Sequence, residues 1–252
     1  MLALERRNAI LEKLALTGKV IVADLSREFN VTEETIRRDL EKLDREGLAQ
    51  KTYGGAIANH SLNMDLPYKV RQRTNADAKQ AIALKVADMI HDGDYIMMDA
   101  SSTTLYITKC IRSKHNITLI TNSIEILMEV ADQDDWHVIC TGGVLKTGAL
   151  ALVYANAEKT IRNFRVDTAI CSCKGLDINF GISDSNDSNA QIKQAMFAAA
   201  RNRILVADHS KFDQTSFVKI GDLTDVDTVV TDIQPAALWT ETCADAGVSL
   251  IY

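Results

Sequence analysis

The chain has 252 residues, of which 46% are apolar and 25% are charged, and its formal net charge is −6. This is the composition of a globular protein of one or two domains, and it excludes a low-complexity chain and a general polycation. The sequence lacks an apolar run of about 18 residues and the apolar core of a signal peptide, so we expect a cytoplasmic protein without a membrane span.

The cysteines and histidines give no sign of a metal or redox centre. The cysteines are odd in number and form no CxxC pair: Cys110, Cys140, Cys171, Cys173 and Cys243. We therefore expect mainly buried, reduced thiols. The five histidines show no ligand spacing. We expect neither a metal nor a cofactor.

Residues 31–47, VTEETIRRDLEKLDREG, have the pattern of a single amphipathic helix. Apolar residues recur in it at i, i+4 and i+7, the spacing of one buried face: Ile36, Leu40 and Leu43. Thr32 is suited to cap the N-terminus of this helix, and Gly47 is suited to end it.

Two more helices are predicted before this one, over residues 3–16 and 22–29, with a tight turn after the second. Their apolar anchors are Leu4, Ile10, Leu11 and Leu14 in the first helix, and Leu25 and Phe29 in the second. Residues 48–57, LAQKTYGGAI, read as two short extended pieces bent near the glycines. Two helices joined by a tight turn and followed by a small β wing are typical of a winged helix-turn-helix domain.

Arg37 and Arg38 admit two interpretations. Each follows a glutamate by four residues, as Arg45 follows Glu41, so a solvated helix with i,i+4 ion pairs would explain them. In a winged helix-turn-helix, however, this helix presents its N-terminal half to the major groove of DNA. The glutamates then hold the guanidinium groups in place before DNA arrives, and we predict that both arginines contact DNA.

The charge distribution limits where nucleic acid can bind. Residues 1–55 hold ten Lys or Arg and ten Asp or Glu, so the acidic excess lies in the rest of the chain. A nucleic-acid contact therefore needs a local basic patch in the first part. The predicted DNA-binding residues come from the third helix and the wing: Thr32, Thr35, Arg37, Arg38, Lys42, Lys51, Tyr53, Gly54 and Gly55.

The run TEETIRRDLEKLDREGL followed by KTYGGA resembles the DNA-binding end of the DeoR family of bacterial transcription regulators. The hallmark of that family is a Thr-x-Arg-Arg-Asp-Leu run with a Gly-Gly-Ala wing, and both occur here at the expected separation. The resemblance implies a transcriptional regulator, in most members a repressor, that binds a double-stranded DNA operator.

We predict three parts: a winged helix-turn-helix domain over residues 1–57, a linker over 58–75 and an effector-binding domain over 76–252. Pro67 interrupts the linker, and Lys69, Arg71 and Arg73 make it basic. A solvated connection would explain this composition. The alternative is that the linker adds phosphate contacts or helps dimers to form.

Strand-like and helical segments alternate regularly from residue 76 to the C-terminus. This alternation predicts an α/β domain with a mostly parallel sheet covered by helices on both faces. Such sheets bind ligands beyond the carboxyl ends of their strands.

Polar clusters follow four of the predicted strands: DASSTT at 99–104, TNS at 121–123, TGG at 141–143 and DHSKF at 208–212. The first cluster starts a helix, whose free N–H groups suit an anion, although helix capping alone would also explain its hydroxyl residues. Gly142 and Gly143 let the backbone approach a ligand, and Lys211 is placed to pair with an anion. Four clusters at successive strand ends predict a small-molecule site.

The DeoR resemblance continues over nearly the whole chain. The positions that match are Asp99, Ser102, Thr103, Thr121, Asn122, Gly142, Gly143, Ala190, Lys193, Asp208, Lys211 and Phe212. The resemblance implies a sugar-phosphate-sensing domain related in fold to ribose-5-phosphate isomerase and CoA transferases, and a homo-oligomer, either dimer or tetramer. The predicted effector-binding residues are Asp99, Ser101, Ser102, Thr103, Thr104, Thr121, Asn122, Gly142, Gly143, Lys193 and Lys211.

Four positions depart from the usual family sequence. Ser101 and Tyr154 stand where the family usually has glycine, Ala151 where it has serine, and Asn189 where it has glutamate. Ser101 is expected to narrow its loop and limit φ, and Tyr154 to add bulk near the pocket, so an unusual effector or weakened recognition follows. Residues 181–191, GISDSNDSNAQ, are predicted to form a loop, either covering the ligand or plainly on the surface.

Three functions follow from these features. The first is a repressor of a carbohydrate-utilisation operon that a phosphorylated sugar relieves, and the second is a sugar-phosphate isomerase-like enzyme. The third is a DNA-binding protein without an effector. Isomerisation needs a positioned acid and base, and Asp99 and Asp208 form no paired constellation with other groups in the sequence. We therefore predict a regulator with no catalytic residues.

Overall fold

A computed structural model describes residues 1–59 and 65–252, and the chain divides into two compact units, Met1–Thr74 and Asn75–Tyr252. Residues 60–64, which belong to the predicted linker, lie outside the described residues. Within the described part, no helix combines the length and the apolar character that a bilayer crossing requires.

The first unit contains the three predicted helices and the wing. Its strands form an antiparallel sheet in the order β1-β3-β2. The elements are α1 Ala3–Thr17, β1 Lys19–Ile21, α2 Val22–Phe29, α3 Glu33–Arg45, β2 Ala49–Lys51, β3 Gly55–Ala58 and α4 Tyr68–Arg73. Gly18 and Gly47 both have positive φ after α1 and α3, the left-handed conformation that ends many helices.

One apolar core holds the first unit together. It contains the predicted face of α3, with Ile36, Leu40 and Leu43 buried against residues of α1 and α2. The prediction for Leu4 is wrong, since its side chain is 64% exposed. Leu4 lies in the first turn of α1, and the buried apolar residues of that helix begin only at Ile10.

Helix α4 lies within the predicted linker and packs into the first unit. Val70 is fully buried in the same core as α3, and Arg73 Nη1 lies 3.2 Å from Glu12 Oε1 on α1. Arg71 donates from Nε to the carbonyl oxygen of Leu66. The helical part of this segment is therefore packed structure rather than solvated chain.

The second unit is built on a seven-stranded sheet in the order β15-β14-β12-β9-β4-β5-β6, with every pair parallel. Its main strands and the helices between them follow the predicted alternation: α5 Ala76–Ala87, β4 Tyr95–Met98, α6 Ser102–Cys110, β5 Thr118–Thr121, α7 Ile124–Glu129, β6 His137–Cys140, α8 Ala155–Arg162, β9 Val166–Ser172, α9 Asp187–Ala198, β12 Ala200–Val206, β14 Thr228–Val230, α10 Ala237–Asp245 and β15 Ser249–Ile251. The predicted α/β class with a mostly parallel sheet is confirmed.

Two small antiparallel sheets were not predicted. One is the hairpin of β7 Val144–Lys146 and β8 Ala151–Val153, and the other has the order β10-β11-β13. Its strands are β10 Gly175–Asp177, β11 Gly181–Asp184 and β13 Val218–Gly221, and single-turn 3-10 helices span His209–Lys211 and Leu223–Asp225.

The prediction of a loop over residues 181–191 is wrong. Residues 181–184 form β11, which is buried along its whole length, and α9 begins at Asp187. The polar side chains of this stretch are satisfied internally: Ser183 Oγ donates to Gly175 O and accepts from the N–H of Ser216. A serine-rich sequence can therefore form a buried strand when neighbouring strands supply its hydrogen bonds.

All five cysteines are free thiols. Cys171, Cys173 and Cys243 are buried as predicted, while Cys110 is half-buried and Cys140 is exposed. Cys140 is the last residue of β6, an edge strand of the large sheet, so one side of it lacks a neighbouring strand.

The order of the large sheet reverses between β9 and β4, because β4, β5 and β6 run outward in one direction and β9, β12, β14 and β15 in the other. In open parallel sheets such a switch point leaves a crevice outside the carboxyl ends of the strands, where ligands bind. The residues that follow β4 and β9 are therefore the first candidates for a ligand site.

Candidate nucleic-acid interface and ligand site

Helix α3 presents its two adjacent arginines to the outside of the first unit. Thr32 caps the helix, since its Oγ1 accepts the N–H of Thr35 at 3.2 Å. The apolar face of α3 is buried in the core, and the two arginines point away from it: the Arg37 side chain is 47% exposed and the Arg38 side chain 77% exposed. Both guanidinium groups are accessible on the outer face of the helix.

Glutamates one turn earlier hold these guanidinium groups. Arg37 Nη2 lies 2.6 Å from Glu33 Oε2, and Arg38 Nε lies 3.3 Å from Glu34 Oε1. Both pairs are solvent-exposed, and exposed pairs of this kind contribute only about 0–1 kcal/mol, so a phosphate or base can replace the carboxylate at little cost. The expected i,i+4 pairs are present.

The expected ion pair between Glu41 and Arg45 is replaced by a contact from Glu41 to the wing. Glu41 Oε1 lies 2.6 Å from Lys51 Nζ on β2, whereas Arg45 donates from Nε to the backbone oxygen of Glu41. The hydrogen bond and charge of Lys51 lower the pKa of Glu41. The N–H of Lys51 also donates to Asp44 Oδ1 at 2.9 Å, so α3 and the wing are joined at two points.

The glycines of the wing have different surroundings. Tyr53 is fully exposed and Gly54 is exposed at its tip, whereas Gly55 is buried. A Cβ added at Gly55 would lie 1.9 Å from the carbonyl oxygen of Val20, so glycine is required there for β3 to approach β1. Packing therefore explains Gly55.

The remaining predicted DNA-binding residues lie on or beside α3. Thr32 is exposed, and its Oγ1 is 2.9 Å from the Oγ1 of the half-buried Thr35. Lys42 is exposed, with its Nζ 3.9 Å from Glu46 Oε1. Together with the arginines they form one polar face on α3.

Asp39 has a role that the sequence reading missed. It follows the two arginines but is buried, with Oδ2 at 2.5 Å from Arg6 Nε and Oδ1 at 3.5 Å from Arg7 Nη1 of α1. Its position three residues after Ile36 places it on the apolar face of α3, which is the signal that could have revealed a buried ion pair.

In the second unit, Asp99 lies at the switch point of the sheet. It directly follows β4, it is buried, and its Oδ1 accepts the N–H of Ser101 at 3.1 Å. Its Oδ2 accepts the N–H of Ser172, the last residue of β9, at 3.2 Å. This carboxylate therefore joins the carboxyl ends of the two strands between which the order reverses.

Lys193 of α9 connects this carboxylate to a second one. Its Nζ lies 3.4 Å from Asp99 Oδ2 and donates a hydrogen bond to Asp184 Oδ2 at the end of β11. Burial disfavours the charged amine, but attraction from Asp184 and Asp99 outweighs it and raises the pKa of Lys193. Burial likewise opposes ionisation of Asp184, yet Lys193 lowers the pKa of that carboxyl. Asp184 was not predicted, because it lies in the stretch read as a loop.

Several predicted effector-binding hydroxyls have internal partners. Ser101 caps α6 by accepting the N–H of Thr104 at 3.2 Å, and its φ of −78° is ordinary, so the expected restriction on φ is absent. Thr104 Oγ1 donates to Asp99 O, and Thr121 Oγ1 to Met98 O, both at 2.8 Å. Helix capping and strand-end turns account for these three residues.

The next two predicted residues, Ser102 and Thr103, are both buried in the first turn of α6. They follow the Ser101 cap directly, at the helix end whose backbone N–H groups point outward. The positive end of the α6 dipole is thus lined by side-chain hydroxyls.

Asn122 leaves one buried polar atom without a partner among the described residues. Its Nδ2 donates to the carbonyl oxygen of Leu152 on β8 at 2.9 Å, which fixes the orientation of the amide. Its Oδ1 is buried and accepts no hydrogen bond. Buried acceptors nearly always have a donor, and no described residue supplies one to this oxygen.

Gly142 and Gly143 both have positive φ, of 65° and 111°. A Cβ added at Gly143 would lie 2.6 Å from the carbonyl oxygen of Val153, so this glycine is required for the chain to pass β8. Gly142 has open space around its Cα and is exposed.

Asp208 and Lys211 follow β12. The Lys211 side chain is 27% exposed, and its Nζ is 4.0 Å from Asp208 Oδ2. Burial alone would raise the pKa of Asp208, but Lys211 and hydrogen bonds from Ser210 and Asn75 lower it overall. The charge of Lys79, a buried lysine of α5 that was not predicted, acts in the same direction.

We expect the second unit to lose stability in acid. The folded-state pKa values of Asp184 and Asp208 are both lowered, so their contribution is complete above about pH 4, the usual value for an aspartate in an unfolded chain. It is lost as the pH falls through the lower folded values. Melting curves of the native protein between pH 7 and pH 2 should show this loss, and an Asp184→Asn variant should show a shallower dependence. Equal slopes in the two proteins would contradict it.

An N-terminal winged helix-turn-helix joined to an α/β domain with a strand-end site defines a DNA-binding transcription regulator with a sensor domain. Two family models match the chain: the DeoR-like helix-turn-helix domain over residues 6–62 and the DeoR C terminal sensor domain over residues 74–233. The chain therefore belongs to the DeoR family of transcriptional regulators.

Relatives cover almost the whole chain. The HTH-type transcriptional regulator YulB of Bacillus subtilis is 37% identical over 94% of this chain and 93% of its own length. The L-fucose operon activator of Haemophilus influenzae is 33% identical (90% and 91%), and the glycerol-3-phosphate regulon repressor of Escherichia coli is 29% identical (92% and 91%). These relatives are transcriptional regulators, not enzymes.

Among solved structures, a ribose 5-phosphate isomerase from Methanocaldococcus jannaschii matches with 16% identity and a TM-score of 0.40, over 55% of each chain. The translation initiation factor eIF-2B of Pyrococcus horikoshii matches with 16% identity and a TM-score of 0.47, over 91% of this chain and 88% of its own.

Proposed function

We propose that the protein represses a carbohydrate-utilisation operon in the cytoplasm, and that a phosphorylated sugar bound at the strand ends of the second unit relieves the repression. The names of two relatives, an L-fucose operon activator and a glycerol-3-phosphate regulon repressor, support a sugar-related target. A homo-oligomer, dimer or tetramer, would place paired recognition helices on the two halves of an operator.

The observation that carries the DNA half of the proposal is the exposure of Arg37 and Arg38 on α3. Among the described residues each is held by an exposed glutamate, so DNA can take over its hydrogen bonds. Arginine reads guanine through two parallel hydrogen bonds in the major groove. Lys51 and Tyr53 of the wing would contact the DNA backbone beside the groove.

The effector half rests on the unpartnered Oδ1 of Asn122 and on the accessible amine of Lys211. A sugar hydroxyl would supply the missing donor to Asn122, and a phosphate would pair with Lys211. Such a ligand relieves repression only if it binds the DNA-incompetent arrangement more tightly than the competent one.

Replacing Lys211 with alanine is expected to weaken binding of the effector by about 10- to 150-fold, since a charge-assisted hydrogen bond contributes about 1.5–3 kcal/mol. Affinity for operator DNA should not change. A thermal-shift screen against phosphorylated sugars identifies the effector, and titration calorimetry of both proteins then measures the loss.

The matched control is Lys219→Ala, which removes another lysine paired with an aspartate three residues away in the same unit. It should leave effector affinity unchanged. Equal affinities in native protein and the Lys211→Ala variant would move the anion site elsewhere, and native protein that responds to no phosphorylated sugar would contradict the proposed effector class.

A further inference from the structure

Tyr154 has a backbone conformation that normally requires glycine. Its φ is 73° and its ψ is −175°, a combination that residues other than glycine adopt only under strain. Four of the other non-glycine residues with positive φ are Asn or Asp, which tolerate that region: Asn30, Asn75, Asn116 and Asp213. Tyr154 has no such local compensation.

The surrounding structure shows why the backbone must take this path. Tyr154 lies between β8 and α8, and its carbonyl oxygen accepts the N–H groups of Ala157 at 2.9 Å and Glu158 at 3.2 Å, which close the first turn of α8. On the other side β8 is fixed to the end of β5, because the N–H of Leu152 donates to the backbone oxygen of Asn122 at 2.8 Å. A residue between two fixed elements cannot relax.

Burial does not compensate for the strain, because the tyrosine side chain is 51% exposed. Ser101 offers a contrast, since its φ is ordinary and its side chain caps a helix. The cost of a tyrosine at position 154 is therefore not offset within the described part of the second unit.

Tyr154 lies close in the chain to residues that contact Asn122 and Gly143 of the candidate ligand site. The carbonyl oxygen of Leu152, two residues earlier, accepts a hydrogen bond from Asn122 Nδ2, and Asn122 Oδ1 is buried with no donor among the described residues. Val153 pairs with Val144, so Tyr154 is next to Gly143 in the same hairpin register. The exposed Tyr154 thus lies two residues from Leu152, whose carbonyl oxygen holds the Asn122 amide.

We infer that Tyr154 is a specificity-determining residue whose ring packs on the carbon face of a cyclic sugar while Asn122 Oδ1 accepts one of the sugar's hydroxyl groups. This inference rests on the proposed function. Aromatic rings supply a large contact area for a C–H surface, and a few placed polar groups fix the orientation of the ligand. An acyclic polyol phosphate offers no comparable face, so Tyr154 favours furanose and pyranose phosphates.

The test compares Tyr154→Gly and Tyr154→Phe with the native protein. Melting temperatures and calorimetric affinities are measured with glucose 6-phosphate, fructose 6-phosphate, ribose 5-phosphate and the acyclic glycerol 3-phosphate. Tyr154→Gly should raise the melting temperature by roughly 2–8 °C, because the strain is relieved. It should also reduce the preference for cyclic over acyclic phosphates at least about 5-fold, whereas Tyr154→Phe should keep that preference.

Tyr95→Gly is the matched control, since Tyr95 is similarly exposed but begins β4 at the opposite end of the sheet. It should lower the melting temperature and leave the ligand preference unchanged. Identical preferences in native protein and Tyr154→Gly would overturn the inference while leaving the proposed function intact. Absence of binding by the native protein and both Tyr154 variants would overturn the proposed function together with it.

Discussion

Replacing Arg38 with alanine should weaken binding to operator DNA by about 1–3 kcal/mol per recognition helix, or roughly 5- to 150-fold, and abolish discrimination at the base it contacts. The reason is that the Arg38 side chain is more exposed than that of Arg37, and its partner among the described residues is a surface glutamate at 3.3 Å. Operator sites selected from a random DNA pool, followed by fluorescence anisotropy at physiological salt, measure the loss. The fold should not change.

A matched control for this variant is Arg162→Ala. Arg162 on α8 is also exposed and also follows its glutamate partner, Glu158, by four residues, but it lies in the second unit. Its loss should leave specific DNA affinity unchanged. If Arg38→Ala retains native affinity, or if Arg162→Ala is equally impaired, α3 is not the helix that reads DNA.

Replacing Asp39 with alanine should destabilise the first unit by about 3–5 kcal/mol, because Arg6 is left as a buried charge without its partner. A unit of this size has little stability beyond that amount, so specific DNA binding should be lost through unfolding. Urea unfolding followed by circular dichroism measures the change, and the second unit should keep its own melting transition.

Asp24→Ala is the control that distinguishes the loss of a buried ion pair from the loss of an exposed one. Asp24 on α2 is 2.6 Å from Arg27 Nη2, but both side chains are exposed, so its removal should cost no more than about 1 kcal/mol. Similar losses of stability in the two variants would contradict the importance given to the buried pair.

The elements that could be predicted from the sequence are those whose ends are marked by capping residues nearby in the chain. Thr32 marks the start of α3 and Gly47 its end, and the apolar spacing between them identifies the face that packs. The main strands of the second unit could also be predicted, because strands of a parallel sheet covered on both faces are continuous apolar runs in the sequence. Each of these signals resides in a short stretch of chain.

The features that were missed depend on partners far away in sequence. Strand β11 is rich in polar residues and is stabilised by β10 and β13, so nothing in GISD itself predicts burial. Likewise, the roles of Asp184 and Asp39 depend on lysine and arginine side chains of other elements. Helical spacing places Asp39 on the buried face of α3, but no comparable signal in the sequence marks Asp184 as buried.

Ser101 and Tyr154 show which backbone features the sequence could not predict. Both Ser101 and Tyr154 were identified as departures: Ser101 was expected to limit φ, and Tyr154 to add bulk near the pocket. Only coordinates distinguish them, since Ser101 has φ of −78° and Tyr154 has φ of 73°. The restriction on φ expected at Ser101 is therefore absent, whereas the positive φ at Tyr154 was not predicted.

The central claim is that the guanidinium groups of α3 exchange their glutamate partners for DNA. A structure of the protein bound to a selected operator tests it most directly. We predict that α3 lies in the major groove, with Arg38 nitrogens within about 3.2 Å of a guanine O6 or N7. A complex in which Arg38 still pairs with Glu34 in solvent, while another element occupies the groove, would contradict the claim.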